Sequence, residues 1–290
     1  MSSAQVPCAA CSWTIERQDS CGYQSNVKIF YAVGDRATWE VGSQRIVKDR
    51  SSHPPNSEAE NLRFVRVNTT IPVPVVVDDW NDRGRHFLIT ERIPGTPLSE
   101  VWLNLSESDK DGYAKQTVEY LHQLRTLCST RIQSINEQPV YSAFLFRDGY
   151  GIPHGPLTSD EHLWYEMAKG LKNAPQDLQD LLRRRMPSAQ PYTFTHGDLT
   201  LKNIIVQNGS VTGIIDWESS GYFPAWWEFV STTIVDSEDD RSWKERLREH
   251  MEDWDEGLQF WRCYYNLSRW PSVDEKLLQW LQRPDEREQV

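Results

Sequence analysis

The sequence predicts an α+β chain in two lobes with a cleft where they meet. Three observations carry that expectation. Short β-type runs crowd the chain before residue 91, around a single amphipathic helix. A stretch dense in proline and glycine, Glu91-Arg92-Ile93-Pro94-Gly95-Thr96-Pro97, then interrupts the pattern. Beyond it the chain is mostly helical, apart from one hairpin inside Thr193–Glu228. At 290 residues, 38% hydrophobic and 25% charged, the composition is that of an ordinary globular protein with ample core. The boundaries that follow are a loose lead-in at 1–26, a β-rich lobe at 27–90, a linker at 91–97 and a helical lobe at 98–290.

In chain order, Val27 to Val33 reads as a strand, rich in β-branched and aromatic residues. Thr38 to Val41 and Arg45 to Val47 flank the turn signal Gly42-Ser43, and Lys48 closes the second of them. After a polar loop, Ser57-x-x-Glu60 has capping-box spacing and opens a helix to about Val67. Glu58, Leu62 and Val65 share one face of it, so Glu58 points with the apolar residues. Pro72-Val73-Pro74 ends the helix and starts an edge-like strand through Val77, and Phe87 to Thr90 is a further strand. Helices are expected near 98–105, 109–128, 159–172 and 175–186, with Tyr113, Val118, Leu121, Leu124 and Leu127 along one side of the second. Pro139 to Pro156 reads as irregular, and 224–283 as helical, acidic and aromatic.

The hairpin concentrates the chemistry. Asn203-Ile204-Ile205-Val206 and Val211-Thr212-Gly213-Ile214-Ile215 flank Asn208-Gly209, a strong two-residue hairpin signal. A hairpin brings its ends together, so Asp198, Asn203 and Asp216 should converge. Three such side chains suit a hard divalent cation that also holds phosphate. Phosphoryl transfer needs such a metal, a lysine on the nucleotide and a carboxylate for the acceptor hydroxyl. The spacing from Asp198 to Asn203, with an aspartate after the next strand, is that of a kinase catalytic loop with its second metal ligand.

The net charge of −11 argues against a nucleic-acid partner and mildly favours a cationic one. No apolar run approaches the roughly 20 residues that span a bilayer. Five cysteines, without the basic start and apolar core of a secretory signal, predict a reduced, cytoplasmic protein. Cys8, Cys11 and Cys21 read as free thiols of a frayed terminus, because a zinc site lacks a fourth ligand nearby.

On these motifs the chain resembles the aminoglycoside phosphotransferase and choline kinase family, whose members share the protein-kinase-like fold. His196-Gly197-Asp198-Leu199-x-x-x-Asn203 resembles that family's catalytic loop, and Ile214-Ile215-Asp216-Trp217-Glu218 its metal-binding segment. Glu58 to Pro74 and Tyr222 to Val230 are most similar to fungal members of unassigned substrate. The resemblance covers most of residues 27 to 235 and implies a nucleotide-binding first lobe, with catalytic loop and acceptor site in the second. It implies Asp198 as base, with His196 bracing its loop. It implies Asn203 and Asp216 on Mg²⁺, and Lys48 on the α- and β-phosphates of ATP, held by Glu58. The backbone from Glu91 to Ile93 would take the adenine edge. No glycine-rich motif covers the phosphates, which leaves the turns near Gly34 and Gly42 as alternatives.

The implied activity is ATP- and Mg²⁺-dependent phosphorylation of a small-molecule hydroxyl. Acidic residues around Asp236–Asp240 and Glu249–Glu256, with many tryptophans, extend the expectation to an amine-bearing acceptor through charge and cation–π contact. The plainer reading of those residues is core tryptophans and solvated helix faces, and it weighs more. Rivals to the enzyme reading are a kinase-fold binding protein without turnover, or the fold turned to other chemistry. Lys48, Asp198, Asn203 and Asp216 are all present, which favours the enzyme.

Overall fold

The computed structural model describes residues 27–270 and 275–283. Cys8, Cys11 and Cys21 therefore lie outside the described residues. The first part is a five-stranded antiparallel sheet with order β1-β2-β3-β5-β4. Its strands are β1 (Val27–Val33), β2 (Arg36–Val41), β3 (Arg45–Ser51), β4 (Val76–Asp82) and β5 (Arg85–Glu91). One helix, α1 (Glu58–Asn68), intervenes between β3 and β4.

Two local expectations are corrected here. The side chain of Ser57 does not cap α1; Asn56 Oδ1 instead accepts from Glu58 N at 2.8 Å. The asparagine, one residue earlier, satisfies the same orphan end of the helix that the capping box was to fill. The strand expected from Pro72 through Val77 begins only at Val76 and runs on to Asp82. Prolines at 72 and 74 supply no ladder donors, and the polar run Asp78 to Asp82 is acceptable because β4 is an edge of the sheet.

The linker stretch ends in β6 (Thr96–Pro97), and after it come α2 (Leu98–Val101), α3 (Glu107–Thr126), β7 (Cys128–Ser129), α4 (Asp160–Ala168) and α5 (Gln176–Arg184). Tyr113, Val118, Leu121 and Leu124 of α3 are buried, as its periodicity required. Then follow β8 (Tyr192–Thr195), the hairpin β9 (Ile204–Gln207) and β10 (Ser210–Ile214), and β11 (Gly221–Pro224). The chain closes with α6 (Trp227–Ser231), α7 (Glu238–His250), α8 (Asp255–Arg269) and α9 (Glu275–Gln282). Short sheets β10-β9-β6 and β11-β8-β7 hold the middle of this part together.

The apolar interior falls into two bodies. One fills the helical end between α4, α5, α6 and α8. The other joins Ala59, Leu62 and Val65 of α1 and Leu88 of β5 to α3, the hairpin and Trp243. This second core crosses from the sheet to the helical part, so the back of the cleft is packed shut. Trp226, Trp227, Trp243 and Trp261 are all core residues, as the plainer reading held. Among the described residues no helix is long and apolar enough to cross a membrane.

Candidate active site

Hairpin geometry brings the two motifs together. Asn208 and Gly209 both take positive φ, 51° and 79°, the conformation of the tight turn that matches strand twist. Ile215 N donates to Asn203 O at 2.9 Å, which seats Asp216 beside Asn203. Asp216 itself is left-handed, at φ 67° and ψ 59°, a region that aspartate tolerates better than most residues. Asn203 Nδ2 donates to Asp198 O at 2.8 Å and to Asp198 Oδ2 at 3.2 Å. Asp198, Asn203 and Asp216 thus converge as their spacing predicted.

Lys48 reaches them from β3. Its Nζ donates to Glu58 Oε1 at 2.6 Å and to Asp216 Oδ1 at 2.8 Å, across 168 residues of chain in the second case. Glu58 begins α1 with its side chain buried. Burial works against the lysine charge, yet Asp216 and Glu58 outweigh it and hold Lys48 above its usual range. Burial likewise opposes ionisation of Asp216, but Lys48 holds that carboxyl below its usual value. Among the described residues no cation forms an ion pair with Asp198. Burial, helped by the charge of Asp216, pushes its carboxyl up to about 6. Two carboxylates on flanking ends of one hairpin are thereby driven in opposite directions, one kept charged and one poised near neutrality.

His196 is fully buried against the edge of Trp217, with ring centroids 4.6 Å apart. Its Nε2 bonds to Ile215 O at 3.0 Å, so it carries the proton, and its Nδ1 accepts from Asp198 N at 3.2 Å. Burial pushes its pKa down to about 4. The imidazole therefore fixes the loop and stays neutral. Gly197, at φ 80°, lets the chain turn there while Ser219 O closes in; an added Cβ would sit 3.2 Å from that oxygen.

The hinge residues divide. The Glu91 side chain is exposed and pairs with Arg45 at 3.3 Å, and its backbone N donates to Val75 O at 2.8 Å. Ile93 packs against the bare backbone of Gly213 in β10, at the linker face of the hairpin. Lys202 is exposed and ion-paired with Asp236 at 2.7 Å. The two glycine turns also separate: the Gly42 turn lies by the linker, where Arg92 N donates to Gln44 O. The Gly34 turn lies at the Asp216 end, where Arg36 contacts Glu218.

Several positioning groups escape a reading of the sequence. Glu228 of α6 accepts from His196 N at 2.6 Å and Gly197 N at 3.0 Å, gripping the His196–Asp198 loop from behind. Asp240 of α7 accepts from Leu201 N at 3.1 Å and pairs with buried Lys244 at 2.9 Å. Trp243 Nε1 donates to Leu199 O at 3.0 Å. Asn61 Nδ2 donates to Trp217 O at 2.8 Å. The i,i+4 spacing of Asp240 and Lys244, and of Glu58 with Leu62 around Asn61, was visible; their targets were not.

Comparison with known proteins bears on the family and the fold. The model of the phosphotransferase enzyme family matches residues 31–262. A thermostable mutant of aminoglycoside phosphotransferase APH(4)-Ia, solved with ADP and hygromycin B, superposes with a TM-score of 0.56 at 14% identity. That match covers 84% of this chain and 85% of that one. Aminoglycoside phosphotransferase APH(2")-IIa with streptomycin and ATP gives 0.53 at 17%, covering 89% of each chain. A putative fructosamine-3-kinase from Haemophilus somnus 129PT gives 0.55 at 15%, covering 92% of this chain and 95% of that one. At these identities the solved structures speak for the protein-kinase-like fold, and the family match over most of the chain speaks for kinship. The chain belongs to the phosphotransferase enzyme family and is a small-molecule kinase.

Proposed function

We propose that this kinase moves the γ-phosphoryl group of ATP to a hydroxyl of a small molecule with the help of Mg²⁺. The observation that carries the reading is Lys48, held between Glu58 and Asp216 with Asp198 and Asn203 alongside. Lys48 takes Oδ1 of Asp216 and leaves Oδ2; Asn203 spends its amide nitrogen on Asp198 and leaves Oδ1. The atoms left are hard oxygen donors, which fit Mg²⁺. That ion, held by Asn203 and Asp216, would neutralise phosphate charge. Lys48 would bind the α- and β-phosphates, with Glu58 fixing its direction, and the backbone of Glu91 to Ile93 would meet the adenine. Asp198, its carboxyl raised by burial, would orient the acceptor hydroxyl and take its proton. The division into a sheet lobe ending at 90, a linker at 91–97 and a helical lobe from 98 is part of the same proposal.

The acceptor is a small hydroxyl compound, and an amine-bearing one is the narrower proposal. Its support is that neighbouring folds were solved with hygromycin B and streptomycin. Trp226, Trp227, Trp243 and Trp261 lend it none, being core, and Asp236 and Asp240 are already paired with Lys202 and Lys244.

The test is ATP consumption by the purified protein across amino-alcohols, amino-sugars and neutral polyols. With any accepted compound, Asp198→Ala should lose about 10²–10⁴-fold in kcat while keeping affinity for AMP-PNP. Full activity of Asp198→Ala would overturn the assignment. AMP-PNP binding with no ATP consumption over the whole panel would favour a binding protein instead.

A further inference from the structure

Glu218 stands two residues beyond Asp216, and both of its carboxylate oxygens are taken by arginines of the sheet. Arg36 Nη1 donates to Oε1 at 2.6 Å, and Arg50 Nη1 donates to Oε2. Arg36 opens β2 immediately after the Gly34 turn. Its second amino group donates to the hydroxyl oxygen of Tyr150 at 2.8 Å. Tyr150 belongs to the irregular stretch between Pro139 and Pro156, whose Gly151 also lies against Pro54 of the β3–α1 loop. One guanidinium therefore ties together three segments separated by 182 and 114 residues of chain.

A planar fork of donors suits that task, since an arginine serves two acceptors from separate, rigidly placed nitrogens, whereas a lysine has a single nitrogen to share. Glu218 is also what allows Arg36 and Arg50 to lie together; all three are largely shielded, with side-chain exposures of 32%, 11% and 22% for Arg36, Arg50 and Glu218. The Gly34 turn has no glycine-rich run to shape it around a ligand. Arg36, which follows it, ties this end of β2 to the Asp216 segment through Glu218.

We infer that Arg36, Glu218 and Tyr150 form a latch that closes the Gly34 turn over the phosphate end of the cleft, making Arg36 a positioning residue for phosphoryl transfer. The inference rests on the nucleotide reading of the cleft. In that arrangement Arg36 acts through the turn and through the Asp216 segment, and needs no contact of its own with phosphate. Tyr150 couples the same turn to the helical part, so the latch reports on both walls of the cleft at once.

The test uses the full chain, with two readouts. One is calorimetric affinity for AMP-PNP with Mg²⁺; the other is hydrogen exchange at residues 33–36 and 216–219 without ligand. Arg36→Met should speed exchange in both windows and weaken AMP-PNP about tenfold or more. Arg36→Lys should recover only a small part of that loss. Tyr150→Phe should cost a few-fold in affinity alone and nothing further in the Arg36→Met background. Unchanged exchange and affinity in Arg36→Met, with a wild type that binds AMP-PNP, would overturn the latch and leave the nucleotide reading standing. A wild type that does not bind AMP-PNP would overturn that reading and the positioning role with it. If Arg36→Met fails to fold, Tyr150→Phe decides: its side chain is 70% exposed, and unchanged exchange at 33–36 would sink the proposal.

Discussion

Asp198 and Asp216 are the same residue type, yet their surroundings separate them. Asp216 has Lys48 at 2.8 Å and stays charged, while Asp198 is raised to about 6 by burial and by the charge of Asp216. A base must be deprotonated to act, so a raised pKa removes activity as pH falls through it. The pH profile of kcat/KM for an accepted substrate should therefore drop about tenfold per unit below about pH 6. His196, held neutral down to about 4, should add no limb near the ordinary histidine value. The stability sign runs the other way. The folded state holds the Asp198 proton more tightly than the unfolded chain, so this group destabilises the fold above about pH 6 and ceases to do so near pH 4. Asp198→Asn should raise the melting temperature of the ligand-free protein by a few degrees at pH 8 and leave it unchanged at pH 4, as read by calorimetry.

At the scale of elements, the hairpin β9–β10 is legible because its signals are local. Asn208-Gly209 and the flanking β-branched runs lie within a dozen residues. The strands that surround it are not legible in this way. Tyr192–Thr195 pairs with Gly221–Pro224 and Cys128–Ser129, and Thr96–Pro97 pairs with β9, all of them remote partners. Gly95 shows how tightly the linker is seated on the hairpin. It sits at φ 128°, and a Cβ there would lie 2.7 Å from Val206 O. Gly95→Ala should cost about 2–4 kcal/mol, strain and clash together, visible as a lower urea midpoint with an unchanged slope. A loss below about 0.5 kcal/mol would mean that the linker is free to move off β9.

At the scale of the whole molecule, the cleft exists because one apolar core runs from α1 and β5 through α3 to the hairpin. That core fixes Glu58 and Lys48 against Asp216 before any ligand arrives, so ligand binding should appear as added stability. AMP-PNP with Mg²⁺ at a hundredfold excess over Kd should add about 2.7 kcal/mol, a rise of roughly 5–10 °C for a chain of this size. Asp216→Asn should remove the part of that rise that depends on Mg²⁺. A rise in Asp216→Asn as large as in the wild type would take Asp216 out of the metal's reach.

The sequence by itself determined the fold class, the convergence of Asp198 with Asn203 and Asp216, and the turn of Glu58 toward the apolar face of its helix. These rest on spacing, turn chemistry and helical phase, which are properties of short windows. Tertiary structure alone decided the rest. It moved β4 past the prolines and buried Trp226, Trp227, Trp243 and Trp261 in the core. It brought the Gly34 turn, not the Gly42 turn, to Asp216. It also recruited Glu228, Asp240 and Trp243 behind the loop from His196 to Leu201 and set Arg36 between Glu218 and Tyr150. The physical reason is common to all of these. Whether a carboxylate, an arginine or a tryptophan is a solvated surface group or a buried positioning group depends on what packs over it, and those neighbours lie tens to nearly two hundred residues away.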